Sequence, residues 1–451
     1  MQIHPAASRF PDLSQPRCRR VLIVTPHFAP TNAPDGQRVR TALPYLREFG
    51  WEAHVLSVQP DQVEHCQDPA LSQTLPPDVP VTRVSALPTR YTRPMGLGNL
   101  GLRCLPFMQR EGDRLLSTQA FDLVFFSTTI FPVMALGDRW QRRFHIPYVL
   151  DFQDPWRSNY RHSSTPPGGR FKYAIVQAMA HLLEPRAMQR VQEVISVSPA
   201  YPQVLQRRYP WLRPEQFTVL PFGAPEADFE QLPHMQVRQQ VFDPHDGHRH
   251  WVYVGRGGAD MATALRALFG AIRLHRDRDP DCWRSIRLHF VGTSYAPGNL
   301  AAKSVEAIAQ AYQLADLVTE HPHRIPYFEA QQVLVDSDAI LVIGSDDPSY
   351  TASKLYPCVL ARKPLLAVFH HQSSVVEILR QCQAGRVATF DRPAAQTNLI
   401  HQLTFHLDWL LSLPKGYQPP TNWAAFQPYT AHAMTQQLCQ VFDRSLLSSR
   451  S

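Results

Sequence analysis

Short apolar runs recur along this chain. Each opens into a loop of Pro, Gly or Ser and is followed by a segment with helical spacing. The first run is RRVLIVTPHFAP, residues 19–30. Its unbroken β-branched core predicts a parallel strand buried on both faces, opening into a Pro-rich loop. RVRTALPYLREFG (38–50) has helical spacing and stops at glycine, and WEAHVLSV (51–58) reads as the next strand. Strand, loop, helix, strand is a βαβ unit, and such units in series build an open parallel sheet. FDLVFFST (121–128), a helix ending at Phe144, IPYVLDFQDPW, EVISVSP (193–199) and FTVLPFGA (217–224) continue the pattern. Between residues 58 and 121, prolines at 60, 69, 76, 77, 80, 88, 94 and 106 predict loops with at most one helix.

The sequence turns polar and irregular from Gly223 to His250, and then a second series begins. WVYVGRGG (251–258), IRLHFVGTS (286–294), LVTEHPHRIP, AILVIGS (339–345), the PLLAV run after Lys363, and RVATF (386–390) are its strands. An amphipathic helix over about 431–447 closes the chain after a Pro-rich connection. The prediction is α/β, with two Rossmann-like doubly wound domains. The first spans residues 19–225 plus 425–451, the second 226–424, and residues 1–18 form an N-terminal extension. Two such sheets in tandem leave a cleft between the carboxyl ends of their strands, where ligands bind.

With 451 residues, two domains fit the size at which single cores stop growing. The formal net charge of +7 favours anionic partners. No arginine-rich run, zinc-finger spacing or RNP-like segment points to nucleic acid, so none is expected. Seven scattered cysteines without a CxxC pair argue for reduced thiols and a cytoplasmic setting, against a zinc site. The first twenty residues lack an apolar core, so a secretory signal is not expected. No run approaches the eighteen apolar residues of a membrane span.

Three strand ends in the second series suit an anion. Gly255-Arg256-Gly257 places a forked cation between glycines just before a helix, whose free N–H groups would add to it. Gly292-Thr293-Ser294 repeats the logic with hydroxyls. In VIGSDDPSYTASKLY, a strand ends at Ser345, Asp346 and Asp347, and Ser353-Lys354 then opens a helix. Ser353 is expected to cap that helix, with Lys354 facing the anion. A cation at a helix N-terminus opposes the helix dipole unless a ligand offsets it.

These segments, in this order, resemble the GT-B glycosyltransferases, in particular bacterial family 4-like enzymes that use nucleotide-sugar donors. VLIVTPHFAPTNAPDGQRVRTALPYLREFG is similar to the family's opening loop and helix. IPYVLDFQDPW is similar to a segment that usually reads D-F-R-D-P-W. VLPFGAPEADF resembles the inter-domain turn, and SKLYPCVLARKPLLAV the donor-site segment. The resemblance implies metal-independent transfer of a sugar from a nucleotide-diphosphate sugar to a saccharide or lipid-linked acceptor, with no cofactor, in surface polysaccharide or glycoconjugate assembly. By the same carry-over Arg256 and Lys354 neutralise the departing diphosphate, with Gly36, Gly255, Gly257, Gly292, Thr293, Ser345, Asp346, Ser353 and Leu355 around the donor. Asp154 is a candidate acceptor-side carboxylate, beside Asp151; a loop-bracing role for Asp154 is the alternative.

The chain departs from the family at three places. Ser349 and Pro357 replace a glutamate pair that grips donor ribose and sugar, a role Asp346 or Asp347 could take at the sugar. Pro34-Asp35-Gly36 stands where a Gly-Gly pair is common, and Gln153 stands for the usual arginine. A nucleotide-sugar epimerase or a nucleotide-binding scaffold of the same fold are the alternatives. His27, at a strand end facing the predicted cleft, has a structural or a general-base reading. No HExxH or GxSxG occurs. Over residues 82–114 basic and apolar residues alternate, which suits peripheral contact with an anionic membrane as well as packing on the chain's own domain.

Overall fold

The computed structural model describes residues 18–92, 98–157, 170–294, 301–347, 353–391 and 396–448. Its backbone is two parallel sheets. The first has strands β1 (Arg19–Val24), β2 (Trp51–Val58), β3 (Val81–Val84), β4 (Leu123–Ser127), β5 (Tyr148–Phe152), β6 (Glu193–Ser196) and β7 (Phe217–Val219), in the order 3-2-1-4-5-6-7. The second has β8 (Arg249–Val254), β9 (Ile286–Val291), β10 (Val318–His321), β11 (Ala339–Ile343), β12 (Leu365–His370) and β13 (Arg386–Phe390), in the order 10-9-8-11-12-13. Both sheets reverse direction once, between β1 and β4 and between β8 and β11.

The strand cores explain this layering. Val21, Leu22, Val24, Val124 and Phe125 are fully buried, as are Trp251, Val252 and Ile340, which is what unbroken apolar strands covered on both faces require. In β1, Leu22 and Val24 join one core layer while Val21 and Ile23 join the other, the alternation set by the pleat.

The closing helix, Ala431–Ser448, packs Met434, Leu438, Val441 and Phe442 onto Val21, Ile23 and Phe125 of the first sheet. Its first amides are met by the Glu226 carboxylate, from Ala431 N at 2.9 Å and His432 N at 3.0 Å, a favourable charge at a helix N-terminus. Gly223 makes this junction: a Cβ there would stand 2.5 Å from Ala431 Cα.

Two regions differ from expectation. The proline-rich stretch holds strand β3 and a nineteen-residue helix, Leu100–Thr118, capped by Asn99 and carrying Pro106 inside. β3 has only four residues at the sheet edge, too few for a pattern to show. Helices Ser374–Cys382 and Gln396–Ser412 also went unpredicted. In the second, Leu399, Leu403, Leu407 and Leu410 line one face against Leu265, Leu268 and Ile272.

Candidate active site

The two sheet reversals face each other, and their loops form the walls of one cleft. The first wall follows β1 and β4. His27 is buried, and its Nδ1 lies 2.9 Å from Asp35 Oδ1. The other Asp35 oxygen accepts from the Thr129 amide at 2.9 Å and from the Thr128 and Thr129 hydroxyls, each at 3.0 Å. Burial pushes the Asp35 carboxyl up, but the His27 bond and charge, then the threonine donors, more than offset this and hold it below the ordinary carboxylate range. An ionised Asp35 accepts, so His27 Nδ1 carries a proton toward it. His65 meets the His27 ring edge-on at 4.7 Å.

Gly36 starts the helix Gln37–Ala42 and lets it press on this loop, because a Cβ would come within 2.8 Å of the His27 carbonyl oxygen. Gly36 serves this close approach. Asp154 is exposed, and its carboxylate has no hydrogen-bond partner among the described residues. Surrounding protein, first, and the Asp35 charge, second, raise its pKa.

Asp151 does not belong to the acceptor side. It is fully buried and pairs with the equally buried Arg38, Nε to Oδ2 at 2.8 Å, with further donors from Ser127 and Gln153. Arg38 continues to the Leu220 and Pro221 carbonyls and lies 4.8 Å from the Phe222 ring. The pair therefore ties the first helix to β5 and to the linker. Gln153, beside it, donates to Asp35 O, Ser127 and Asp151.

The second wall follows β8, β9 and β11. Arg256 is present in the loop after β8, but its fork is occupied: it donates to both Asp260 oxygens, at 2.9 and 2.6 Å, and this pulls Asp260 down to about 2. The loop amides are also used, since Gly255 N donates to Val291 O and Gly257 N to Thr293 O. A ligand at this loop must therefore compete with Asp260 for Arg256 rather than meet free amides at 255 and 257. Ser345 is buried and donates to Asp260, and Thr293 donates to Glu320, so both hydroxyls serve the protein. Asp346 accepts from Thr263 through one oxygen; the other is buried and unpartnered. Gly292 lines the cleft with φ +73, a left-handed backbone in which a side chain would be strained.

Lys354 stands at the N-cap position of the helix Leu355–Leu360, with no side-chain cap, so Ser353 does not cap this helix. Both Ser353 and Lys354 are exposed and line the cleft. Leu355 points the other way, fully buried in the core with Val359 and Leu334, and is no part of the donor surface. The Lys354 ammonium is lowered to about 8, first by the mass of protein around the cleft, then by the charges of Arg324 and Arg256. It is thus deep in a recess that opens to solvent, among cations, and no carboxylate pairs with it among the described residues. Ser349 lies outside the described residues; Pro357 lines the same cleft.

Between the walls is a cavity of about 300 Å³. Asn32, Pro34 and Gln37 come from the first sheet's loops, Phe222 and Gly223 from the linker, and Gly292, Arg324 and Lys354 from the second. The walls are held together by a buried polar junction. Arg40 donates to both oxygens of Asp228, at 2.7 and 2.6 Å, and Tyr327 Oη donates to Asp228 at 2.7 Å. The Tyr327 amide also donates to Asp68, at 2.8 Å, across the two halves.

Sequence reading missed Asp35, Arg324 and this junction. Arg324 lies in HPHRIP just after β10, so the strand-end reasoning that found Arg256 could have found it. Asp35 looked like an ordinary loop residue until β4 came beside it. Within residues 82–114, Arg83 and Arg103 turn inward to backbone carbonyls, while Arg90, Tyr91 and Arg110 are exposed; Arg93 and Leu97 lie outside the described residues. No described helix is long and apolar enough to cross a membrane.

Residues 17–223 match the family model described as the glycosyl transferase 4-like domain. No curated protein matches the chain by sequence. Among solved structures the chain is similar to Anabaena HepE in complex with UDP, at 15% identity and TM-score 0.55, over 94% of this chain and 99% of that one. It is similar to sucrose-phosphate synthase from Thermosynechococcus elongatus, at 16% identity and TM-score 0.58, over 96% and 100%. A protein described as a UDP-N-acetylglucosamine 2-epimerase from Listeria monocytogenes shares the fold at 11% identity and TM-score 0.50, over 93% and 94%. At these identities the likeness is one of fold.

Proposed function

We propose that this chain, whose residues 17–223 match the glycosyl transferase 4-like domain and whose fold is that of GT-B structures, moves a sugar from a nucleotide-diphosphate sugar to a saccharide or lipid-linked acceptor, in surface polysaccharide or glycoconjugate assembly. One observation carries the reading. Lys354 lines a recess with Arg324, near Arg256, its pKa lowered to about 8, and no carboxylate pairs with it among the described residues. Holding a cation among cations costs free energy, and an anionic ligand relieves it.

In this reading the donor diphosphate lies against Lys354 and Arg324. As the sugar–oxygen bond breaks, negative charge grows on the diphosphate, and fixed cations stabilise that charge more than the ground state. Arg256 joins by giving up part of its pairing with Asp260. Side-chain cations are proposed to do this without a bound metal. Across the cleft, His27 Nε2 takes the proton from the acceptor hydroxyl, and Asp35 fixes the ring and stabilises the imidazolium that forms. Asp154 serves as an acceptor contact.

The test is a panel of nucleotide sugars offered with and without acceptors, in the absence and presence of divalent cation, scored by release of nucleoside diphosphate and by sugar transferred. Acceptor-dependent release supports transfer. An altered nucleotide sugar formed without acceptor supports the epimerase, and binding without turnover supports the scaffold.

A further inference from the structure

Histidines from three neighbouring strands lie side by side beneath the linker: His250 on β8, His289 on β9 and His321 on β10. His250 and His289 are buried. Phe242, from the linker, stacks on both rings, at 4.3 Å from His250 and 5.1 Å from His289, and His321 lies 6.0 Å beyond His289. A line of polar contacts runs inward through the stack. Asp246 Oδ1, also in the linker, is 3.1 Å from His250 Nε2, and His250 Nδ1 is 3.0 Å from His289 Nε2. The line ends at His289 Nδ1, which is sealed and has no hydrogen-bond partner among the described residues.

This line holds two protons well and a third badly. With one on each ring, His250 Nε2 donates to Asp246 and His289 Nε2 donates to His250 Nδ1, so the sealed His289 Nδ1 is bare and needs no acceptor. A third proton on His289 makes an N–H at that sealed nitrogen. On His250 Nδ1 it forces His289 to accept at Nε2 and to carry its own proton at Nδ1, with the same result. Either way the stack gains a charge and a buried donor without an acceptor. The surroundings act in the same direction. Burial first, then the charges of His250 and His321, lower the His289 pKa to about 3; Arg287 on the same strand adds to this, and Asp246 opposes it without offsetting it. Further out, Arg287 donates to His248 Nε2 at 2.8 Å, and Lys303 and Glu306 act on His321 with opposite signs.

We propose that the stack is an acid-released anchor for the linker: at neutral pH it holds residues 239–248 on the second sheet, and in mild acid a further proton loosens them. The stretch it holds leads back to the interface between the halves, where Leu232 packs with Ala29, Leu71 and Phe328. On the way, Gln240 N donates to Glu329 at 3.1 Å. Release therefore slackens the tether between the halves, a property separate from the transfer reading and not dependent on it. The docked stack keeps His289 neutral, while an undocked ring takes its proton near the ordinary value of 6.5. Docking is thus unaffected above that value and weakens as pH falls below it, by about twentyfold between pH 7 and pH 5 for one such ring.

Hydrogen exchange of the full chain tests this, followed by mass spectrometry at pH 7, 6 and 5, with each rate divided by its intrinsic rate. Wild-type protection over residues 239–248 should fall about twentyfold from pH 7 to pH 5, while strand β4 keeps its protection. His289→Gln keeps a donor toward His250 but takes up no proton, and His289→Phe keeps a ring for Phe242 to stack on. In either variant the fall should shrink to less than about threefold, with thermal midpoints at pH 7 showing which variants are folded. A wild-type fall that is absent, that occurs equally in β4, or that persists in a folded variant overturns the proposal. Should neither variant fold, the wild-type series still decides: loss confined to residues 239–248 supports the anchor, and its absence overturns it.

Discussion

The two walls of the cleft handle charge in opposite ways. On the first wall the buried charges are closed into pairs: His27 with Asp35, Arg38 with Asp151, and Arg40 with Asp228. On the second, Arg256 is paired with Asp260, but Lys354 faces Arg324 and Arg256 with no carboxylate against it among the described residues. Paired charges fix geometry; a cation held beside cations stores electrostatic cost that an anion releases. The contrast separates a wall of closed ion pairs from a wall where one cation has no carboxylate against it among the described residues.

Breaking the first wall should give the largest effect. Asp151→Ala leaves Arg38 buried without its counter-ion, which typically costs about 3–5 kcal/mol, read as a lowered denaturant midpoint. A loss below about 1 kcal/mol would mean that the Arg38 network does not anchor the linker.

Asp35→Asn tests the proton transfer proposed for the same wall. The ring loses its ionic partner, and turnover should fall by about a hundredfold while donor KM stays near wild type. A rise in KM with turnover intact would assign Asp35 to binding instead. The substitution also has a pH signature. Asp35 has a lowered pKa in the folded chain, so its ionised form contributes stability above the ordinary carboxylate value of about 4, and this is lost as pH falls through the folded value. The asparagine variant should therefore lose less stability than wild type across that acid range.

On the second wall, Lys354→Ala should weaken nucleoside-diphosphate affinity roughly tenfold or more, with nucleoside affinity little changed. Equal diphosphate affinity in mutant and wild type would remove Lys354 from the site. The sign of its pH dependence follows from a free-state pKa of about 8. Below that value the ammonium is charged and attracts the diphosphate. As pH climbs past it the neutral amine predominates, so wild-type affinity should decline from pH 7 to 9, and the alanine variant should lack that decline.

The smallest effect belongs to the junction between the walls. Tyr327→Phe removes one buried hydrogen bond to Asp228 but keeps the bidentate Arg40 pairing. A loss of about 1 kcal/mol is expected in thermal or denaturant unfolding. A cost several times larger would show that Tyr327, rather than Arg40, holds the junction.

What could be read from the sequence follows from range. Arg256 and Gly292 could be placed at strand ends because each sits just past an apolar run, and Lys354 at the head of a helix, because strand, loop and helix are neighbours in the chain. The proline-rich stretch hid β3, since four edge residues make no pattern, and gave no extent for the helix expected there. Ser353 looked like a cap because its residue type favours that position, but the helix begins one residue later.

The sequence by itself determined the alternation of strands and helices, hence two parallel sheets and a cleft at their carboxyl ends, because buried strands need unbroken apolar runs. It could not say which charges are spent on the protein. Asp151 meets Arg38 across 113 residues, Asp228 meets Arg40 across 188, and Asp260 takes up Arg256 only because a turn brings them together. Whether a charged side chain is a strut or a ligand contact depends on what the folded chain places within about 3 Å of it, and hydrogen bonding at that range carries no trace in the local pattern.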